Sequence, residues 1–401
     1  MAEFNMLEIP ISKFVTYIRE DFEDENYGPA ICLGKAGVGK TVSMHELAQE
    51  MGIGYKELRL VTMTEIDILG LPDTEVMYDN NGNVIKGNNG RERKATTYSA
   101  SALLPVAERD GERGILVLDE ITSASRGVRA CAYQLLDSKR ALGEYKLPDK
   151  WKVVALGNGS EDGGVFEGME SAFLNRGSTC YRVEPDLDGW KEWAIKHGVH
   201  PTVIAFLTQQ PDCIHQFDNQ EIASVFPSPR SWEALSTKLT KRERARGGRL
   251  DIDDVENYAG GAIGAKVAAM FASFYAYSSE VIDCEDIFAG KIKASDMQNL
   301  SGEALIITIQ SVIKNLAEIL KKHKKGADSF DKPALQAAVA VARWIIEISK
   351  VRIDDAMIAI TDLTKGVPDF TMLIVCTDEF DTLCPDFIEF CVANGATFSA
   401  Y

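Results

Sequence analysis

The 401-residue chain has no run of about 18 apolar residues, the length a membrane-spanning helix needs, so no transmembrane segment is expected. Its opening, MAEFNMLEIP, lacks the basic start and the apolar stretch of a secretory leader. The eight cysteines (32, 131, 180, 213, 284, 376, 384 and 391) include no C-x-x-C pair, which points to reduced thiols and a cytoplasmic setting. Positive charge is scarce: 43 Lys and Arg stand against 60 Asp and Glu, a formal net charge of −17. That surplus repels a phosphate backbone at long range and argues against general nucleic-acid binding. Internal repeats and low-complexity linkers are absent too. What remains is core-forming material: 45% hydrophobic and 26% charged residues, as in a soluble globular protein of two or three domains.

One short stretch stands out. GKAGVGKT, residues 34–41, fits G-x-x-x-x-G-K-[ST], follows the apolar Ile31-Cys32-Leu33 and precedes the helical pattern VSMHELAQE. Strand, glycine-rich loop and helix are the setting in which backbone N–H groups and a helix N-terminus surround phosphates. Gly34, Lys35, Ala36, Gly37, Val38, Gly39, Lys40, Thr41 and Val42 are therefore the expected nucleotide-binding residues, with Lys40 on the outer phosphates and Thr41 on Mg2+. ILVLDE, 115–120, is a buried strand ending in two acids. Asp119 suits the Mg2+ hydration shell, and Glu120 can orient or polarise the attacking water. Asn158, ending KVVALGN, lies at a strand tip, where it can hold the lytic water or sense the γ-phosphate. Arg176 in AFLNRG and Arg230 in SPRSW complete the candidate set. Ser228 can cap a helix that starts at Pro229, placing Arg230 in a first turn where the helix dipole disfavours a cation, so a functional reason for it is sought.

Around these motifs the pattern predicts a helix over 6–20 and strands at 29–33, 55–63, 115–120 and 152–158. A hairpin is expected in EVMYDNNGNVIKG (75–87), around its Asn-Gly, and another tight turn in ALGEYKLPDKW (141–151). Strands alternating with helices imply a parallel sheet covered on both faces; after residue 186 every segment reads as helix. KLTKRERARGGR, 238–249, carries six cations and one glutamate. It reads as a solvated basic loop; a subunit contact ranks next and nucleic acid last, because no aromatic residue for base stacking lies within the run. His197, His200, Cys213 and His215 have spacing that could hold zinc, but the segment fits helix better, and a metal is not expected there.

P-loop, ILVLDE, ALGN, LNR and SPRSW, in this order, resemble a MoxR-like AAA+ ATPase, the branch with an insert in helix 2, over roughly residues 10–280. DILGLP, DEITSASRGVRACAYQLLD and GAIGAKVAAMF look like the same branch. The resemblance implies an α/β P-loop NTPase fold: an AAA+ core over 1–186 with the hairpin insert near 75–87, an all-α lid over 187–284, and a helical C-terminal extension over 285–401. It makes Asn158 sensor 1, Arg230 sensor 2, and Arg176 the arginine finger offered to a neighbouring subunit, although Gly177 follows where many members carry an aromatic residue. It further implies ATP as nucleotide, Mg2+, a homo-oligomeric ring of typically six chains, and a protein client that is remodelled or activated. A von Willebrand factor A-type protein is a common partner in such systems, and neither membrane nor nucleic acid is expected. Three readings compete: this ring ATPase, a nucleic-acid-directed motor or restriction-type NTPase subunit, and a nucleotide switch that does not hydrolyse.

Overall fold

The strands of the first half of the chain are short. They are β1 (Leu7–Pro10), β2 (Ala30–Gly34), β3 (Gly54–Arg59), β4 (Leu71–Val76) and β5 (Lys94–Ser99). Then come β6 (Arg113–Asp119), β7 (Ala141–Leu142), β8 (Tyr145–Lys146), β9 (Lys150–Gly157) and β10 (Thr179–Glu184). Six of them pair in parallel in the order β1-β10-β2-β9-β6-β3. The computed structural model describes residues 6–159, 176, 179–217, 225–326 and 329–395. The chain divides into two units, Met1–Asp186 and Leu187–Tyr401.

Helices α1 (Ile11–Glu23), α2 (Lys40–Met51), α3 (Glu65–Leu69), α4 (Ala107–Asp110) and α5 (Arg126–Leu136) accompany the sheet. On β6, Ile115 and Val117 join Phe14, Ile18 and Phe22 of α1 and Met44 and Leu47 of α2 in one core. Leu116 and Leu118 point the other way, into a core with Ile68 of α3 and Val128 and Leu135 of α5. That is the period of two expected of strands buried on both faces. The result is an α/β fold built on a six-stranded parallel sheet, and β9 lies between β2, which leads into the glycine-rich loop, and β6, which ends at Asp119.

Trp151 governs packing at the start of β9. In register across three strands it stands beside Gly114, which stands beside Gly54. A Cβ at Gly114 would come within 2.6 Å of the indole and one at Gly54 within 2.7 Å, so both glycines make room for the ring. The indole N–H donates to the Gly111 carbonyl at 2.8 Å. On the opposite face Lys152 is fully buried; its ammonium lies 2.9 Å from an Asp21 carboxylate oxygen and donates to the Gly28 and Asn26 carbonyls. Burial pushes the Lys152 pKa down while Asp21 opposes the shift.

Two local expectations change. The helix predicted over 6–20 begins only at Ile11, and Leu7–Pro10 instead forms an edge strand on β10. Pro10, with no N–H to give, suits a short edge strand and the helix entry that follows. Strand 55–63 stops at Arg59 and continues as a 3-10 turn over Leu60–Thr62. The Asn-Gly turn lies inside a larger ribbon in which β4 and β5 pair antiparallel. Within it the chain doubles back twice: Ile85 N–H donates to Met77 O, and Arg93 N–H donates to Ile85 O.

The second unit is helical. It begins with α6 (Leu187–Lys196), α7 (Pro201–Gln209), α8 (Pro229–Arg246), α9 (Ile252–Ile263) and α10 (Ala265–Ala276). Helices at Gly302–Lys322, Lys332–Ser349 and Ile353–Gly366 follow, and one hydrophobic core runs from Trp190 to Cys391. Inside it Lys191 pairs with Asp362 at 2.8 Å, and Gln310 donates to the other Asp362 oxygen at 2.6 Å. The basic stretch 238–249 is largely helix rather than loop, forming the last turns of α8. Lys238 and Arg242 lie over the Tyr258 ring at 4.3 and 5.9 Å, and Arg246 pairs with Asp251 at 2.6 Å.

Gly114→Ala forces a methyl group into the Trp151 ring. Overpacking of this kind costs ~1–3 kcal/mol. The urea midpoint is expected to fall with an unchanged slope; an unchanged midpoint would show that the indole moves aside freely.

Candidate functional site

β2 is buried along its whole length, and its last residue runs against β10. A Cβ at Gly34 would lie 2.3 Å from the Val183 carbonyl, so only glycine lets the strand leave the sheet there. The loop then turns through Gly37 and Gly39, at φ 79° and 99°, left-handed conformations suited to glycine. Gly39 is also the N-cap of α2, which leaves that helix's first N–H groups facing the loop. Val38 is buried and pins the loop tip to the core, whereas the Val42 side chain is half exposed on α2.

Lys40 folds back under this loop. Its ammonium donates to the carbonyls of Gly34 at 2.7 Å and Lys35 at 2.9 Å, and to Asn158 Oδ1 at 3.0 Å. Lys35 points elsewhere, in an ion pair with Glu184 at 2.6 Å. Thr41 Oγ1 donates to Asp119 Oδ2 at 3.1 Å. Beneath the loop, burial pushes the Cys32 thiol up to about 12, so it stays protonated and inert.

Asp119 ends β6, and its other oxygen accepts the Glu120 N–H at 3.0 Å. Glu120 itself has φ 54°, a left-handed conformation that non-glycine residues seldom adopt. Its carboxylate pairs at 2.8 Å with Arg59, which stands in register beside Asp119 at the end of β3. The hydrogen bond that Arg59 donates to Glu120 holds the Arg59 pKa above its ordinary value. Asn158 follows β9, and its backbone N–H donates to Thr122 Oγ1 at 3.1 Å. Gly157 makes room for this contact: a Cβ there would meet the Thr122 methyl at 2.6 Å.

Three neighbouring strands thus bring Lys40, Thr41, Asp119, Glu120 and Asn158 to one end of the sheet, where open α/β sheets bind ligands. Thr41 and Asp119 offer hard oxygen donors already within hydrogen-bonding distance of each other. That donor set fits Mg2+, which is usually held by a few oxygen ligands plus waters and phosphate.

Two other sequence candidates lie elsewhere. The Arg176 guanidinium pairs with Asp137 and lies 5.4 Å from the Tyr133 ring centre, both at the end of α5. Gly177 lies outside the described residues. Arg230 is in the second unit, exposed in the first turn of α8 behind the reciprocal cap of Ser228 and Ser231. The four zinc-spaced side chains have separate partners: His197 stacks on Trp193, His200 is 2.9 Å from Glu243, Cys213 accepts from Gln216, and His215 packs on Phe226. Sequence reasoning missed Arg59, Thr122, Tyr133 and Asp137. A cation closing KELR is a weak local signal, and its partner depends on strand order.

The chain matches no protein-family model and no curated protein sequence. Among solved structures it is similar to a RuvB mutant of Thermotoga maritima at 11% identity, covering 87% of this chain and 86% of that one with a TM-score of 0.37. NtrX of Brucella abortus in complex with ADP is 13% identical over 76% and 63% of the two chains, with a TM-score of 0.34. A putative ATPase from Cytophaga hutchinsonii is 12% identical over 78% and 76%, with a TM-score of 0.30. Likenesses this distant assign no function.

Lys40→Met removes the ammonium while keeping most of the side-chain length. Loss of two charge-assisted bonds to phosphate is expected to weaken binding of a triphosphate about 100-fold or more. Titration calorimetry checks this, and affinity within threefold of the parent would remove Lys40 from the phosphate site.

Proposed function

We propose that the chain is a Mg2+-dependent ATP hydrolase of the MoxR-like AAA+ type, working as a homo-oligomeric ring, typically hexameric, that remodels or activates a protein partner. The observation that carries this reading is the gathering of Lys40, Thr41, Asp119, Glu120 and Asn158 at the ends of three adjacent parallel strands. A non-hydrolysing switch would need the phosphate loop but not a carboxylate and an amide beside it.

In this reading the P-loop amides and Lys40 hold the β- and γ-phosphates, and Thr41 and Asp119 hold Mg2+. The metal supplies charge neutralisation on the phosphate oxygens. Asn158 orients a water in line with the γ-phosphorus. The water oxygen bonds to phosphorus, the bond to the β-γ bridging oxygen breaks, and Glu120 takes the proton. Arg59 holds the Glu120 carboxylate in an ion pair at 2.8 Å, a contact that competes with the attacking water for the same oxygens. Arg176 acts on the nucleotide of a neighbouring subunit, and Arg230 is a second cation for the phosphates.

The same reading divides the helical unit into a lid (187–284) and an extension (285–401). It also places the protein in the cytoplasm and allows a von Willebrand factor A-type partner. ATP is preferred over GTP by resemblance alone. The nucleic-acid reading gains no support from the basic stretch, where Lys238, Arg242, Arg246 and Arg249 all have local partners. Among the described residues, no helix is long and apolar enough to cross a membrane.

Shared sites make specific activity depend on assembly. Phosphate release per chain is expected to rise with protein concentration, and Arg176→Ala to lower it by about 10³-fold or more. Activity flat with concentration and indifferent to Arg176→Ala would overturn the ring. Arg59→Ala is expected to raise kcat by about three- to tenfold with KM little changed, because the Glu120 carboxylate is freed from its ion pair to meet the water. A fall in kcat would instead make Arg59 a support for Glu120.

A further inference from the structure

Asp137 sits in an unfavourable place. It is the C-cap of α5, where the helix presents its unpaired carbonyls and the negative end of its dipole. A carboxylate there needs a cation, and Arg176 supplies it. Four residues earlier on the same helix face, Tyr133 offers its ring to the same guanidinium. The Asp137 N–H donates to the Tyr133 carbonyl at 3.1 Å, so the two share one closed turn.

The guanidinium is thereby held on two sides. Its Nη1 serves Asp137, its guanidinium carbon lies over the Tyr133 ring, and about a third of the side chain (35%) stays accessible. Five N–H donors in a rigid fork allow one edge to be fixed while the rest remain for a phosphate. We propose that Asp137 and Tyr133 are positioning residues that hold Arg176 in the orientation needed to reach a neighbouring subunit's nucleotide. This rests on the ring reading above. The alternative role for Asp137, a competitor that withholds the arginine, has the opposite sign and is separable by experiment.

The test is subunit complementation with full-length chains. A Lys40→Ala chain offers Arg176 but holds no nucleotide, and an Arg176→Ala chain holds nucleotide but offers no arginine. Mixed together they are expected to hydrolyse ATP only at interfaces where one completes the other. Adding Asp137→Ala to the Lys40→Ala chain is expected to lower complemented kcat about ten- to thirtyfold, the scale of freeing one long side chain's rotamers. KM should not change. The same Asp137→Ala in the Arg176→Ala chain should have no effect, Tyr133→Ala should behave like Asp137→Ala, and Asp137→Glu should restore activity. Thermal midpoints of all chains provide the folding control.

Complementation unchanged or raised by Asp137→Ala would overturn the proposal, as would an equal loss whichever chain carries it. Failure of the two parent variants to complement, with the wild type active, would sink the ring reading and the proposal with it.

Discussion

One ammonium group holds the ends of two strands together. Lys40 Nζ is bound by carbonyls where β2 becomes the P-loop and by the Asn158 amide oxygen where β9 ends. A loop rich in left-handed glycines would otherwise have many shapes to explore. The lysine is an internal stand-in for the contacts that order the loop. A ligand that took over these partners would meet a loop already ordered, which lowers the conformational cost of binding.

The same economy appears at the second acid. Glu120 holds a backbone conformation that few non-glycine residues tolerate, and its carboxylate is steered by Arg59 from the neighbouring strand. Strain at such a point persists only where surrounding structure fixes it. Here the fixing groups are the Asp119 carboxylate on the Glu120 N–H and the Ile121 N–H on the Leu156 carbonyl at 3.0 Å. Thr122 then accepts the N–H of Asn158, the residue just past β9. The turn after β6 is therefore bonded to the end of β9 at two points, so displacement of either is felt by the other.

Local signals carried much of this organisation. The glycine pattern of 34–41, the apolar strand before Asp119 and the cap at Ser228 are each legible because their physics lies within a few residues. Asp137 and Arg59 were not legible for the opposite reason: one meets Arg176 across 39 positions and the other meets Glu120 across 61. Nothing in KELR shows that β3 lies beside β6. The helix expected from residue 6 failed because Leu7 and Ile9 satisfy helical and alternating patterns equally, and pairing with β10 decides between them. The basic stretch misled by composition: counting charges does not show that Tyr258 lies under two of them.

Trp151 has an optical consequence. The sequence has five tryptophans, and 151 alone falls within residues 1–186. Its indole is fully buried, bonded to the Gly111 carbonyl, and seated near the start of the strand whose far end leads into Asn158. With the other four replaced by phenylalanine, emission from this one ring would watch β9 from inside the sheet. The first unit thus carries its own spectroscopic probe, placed by the packing that two glycines permit.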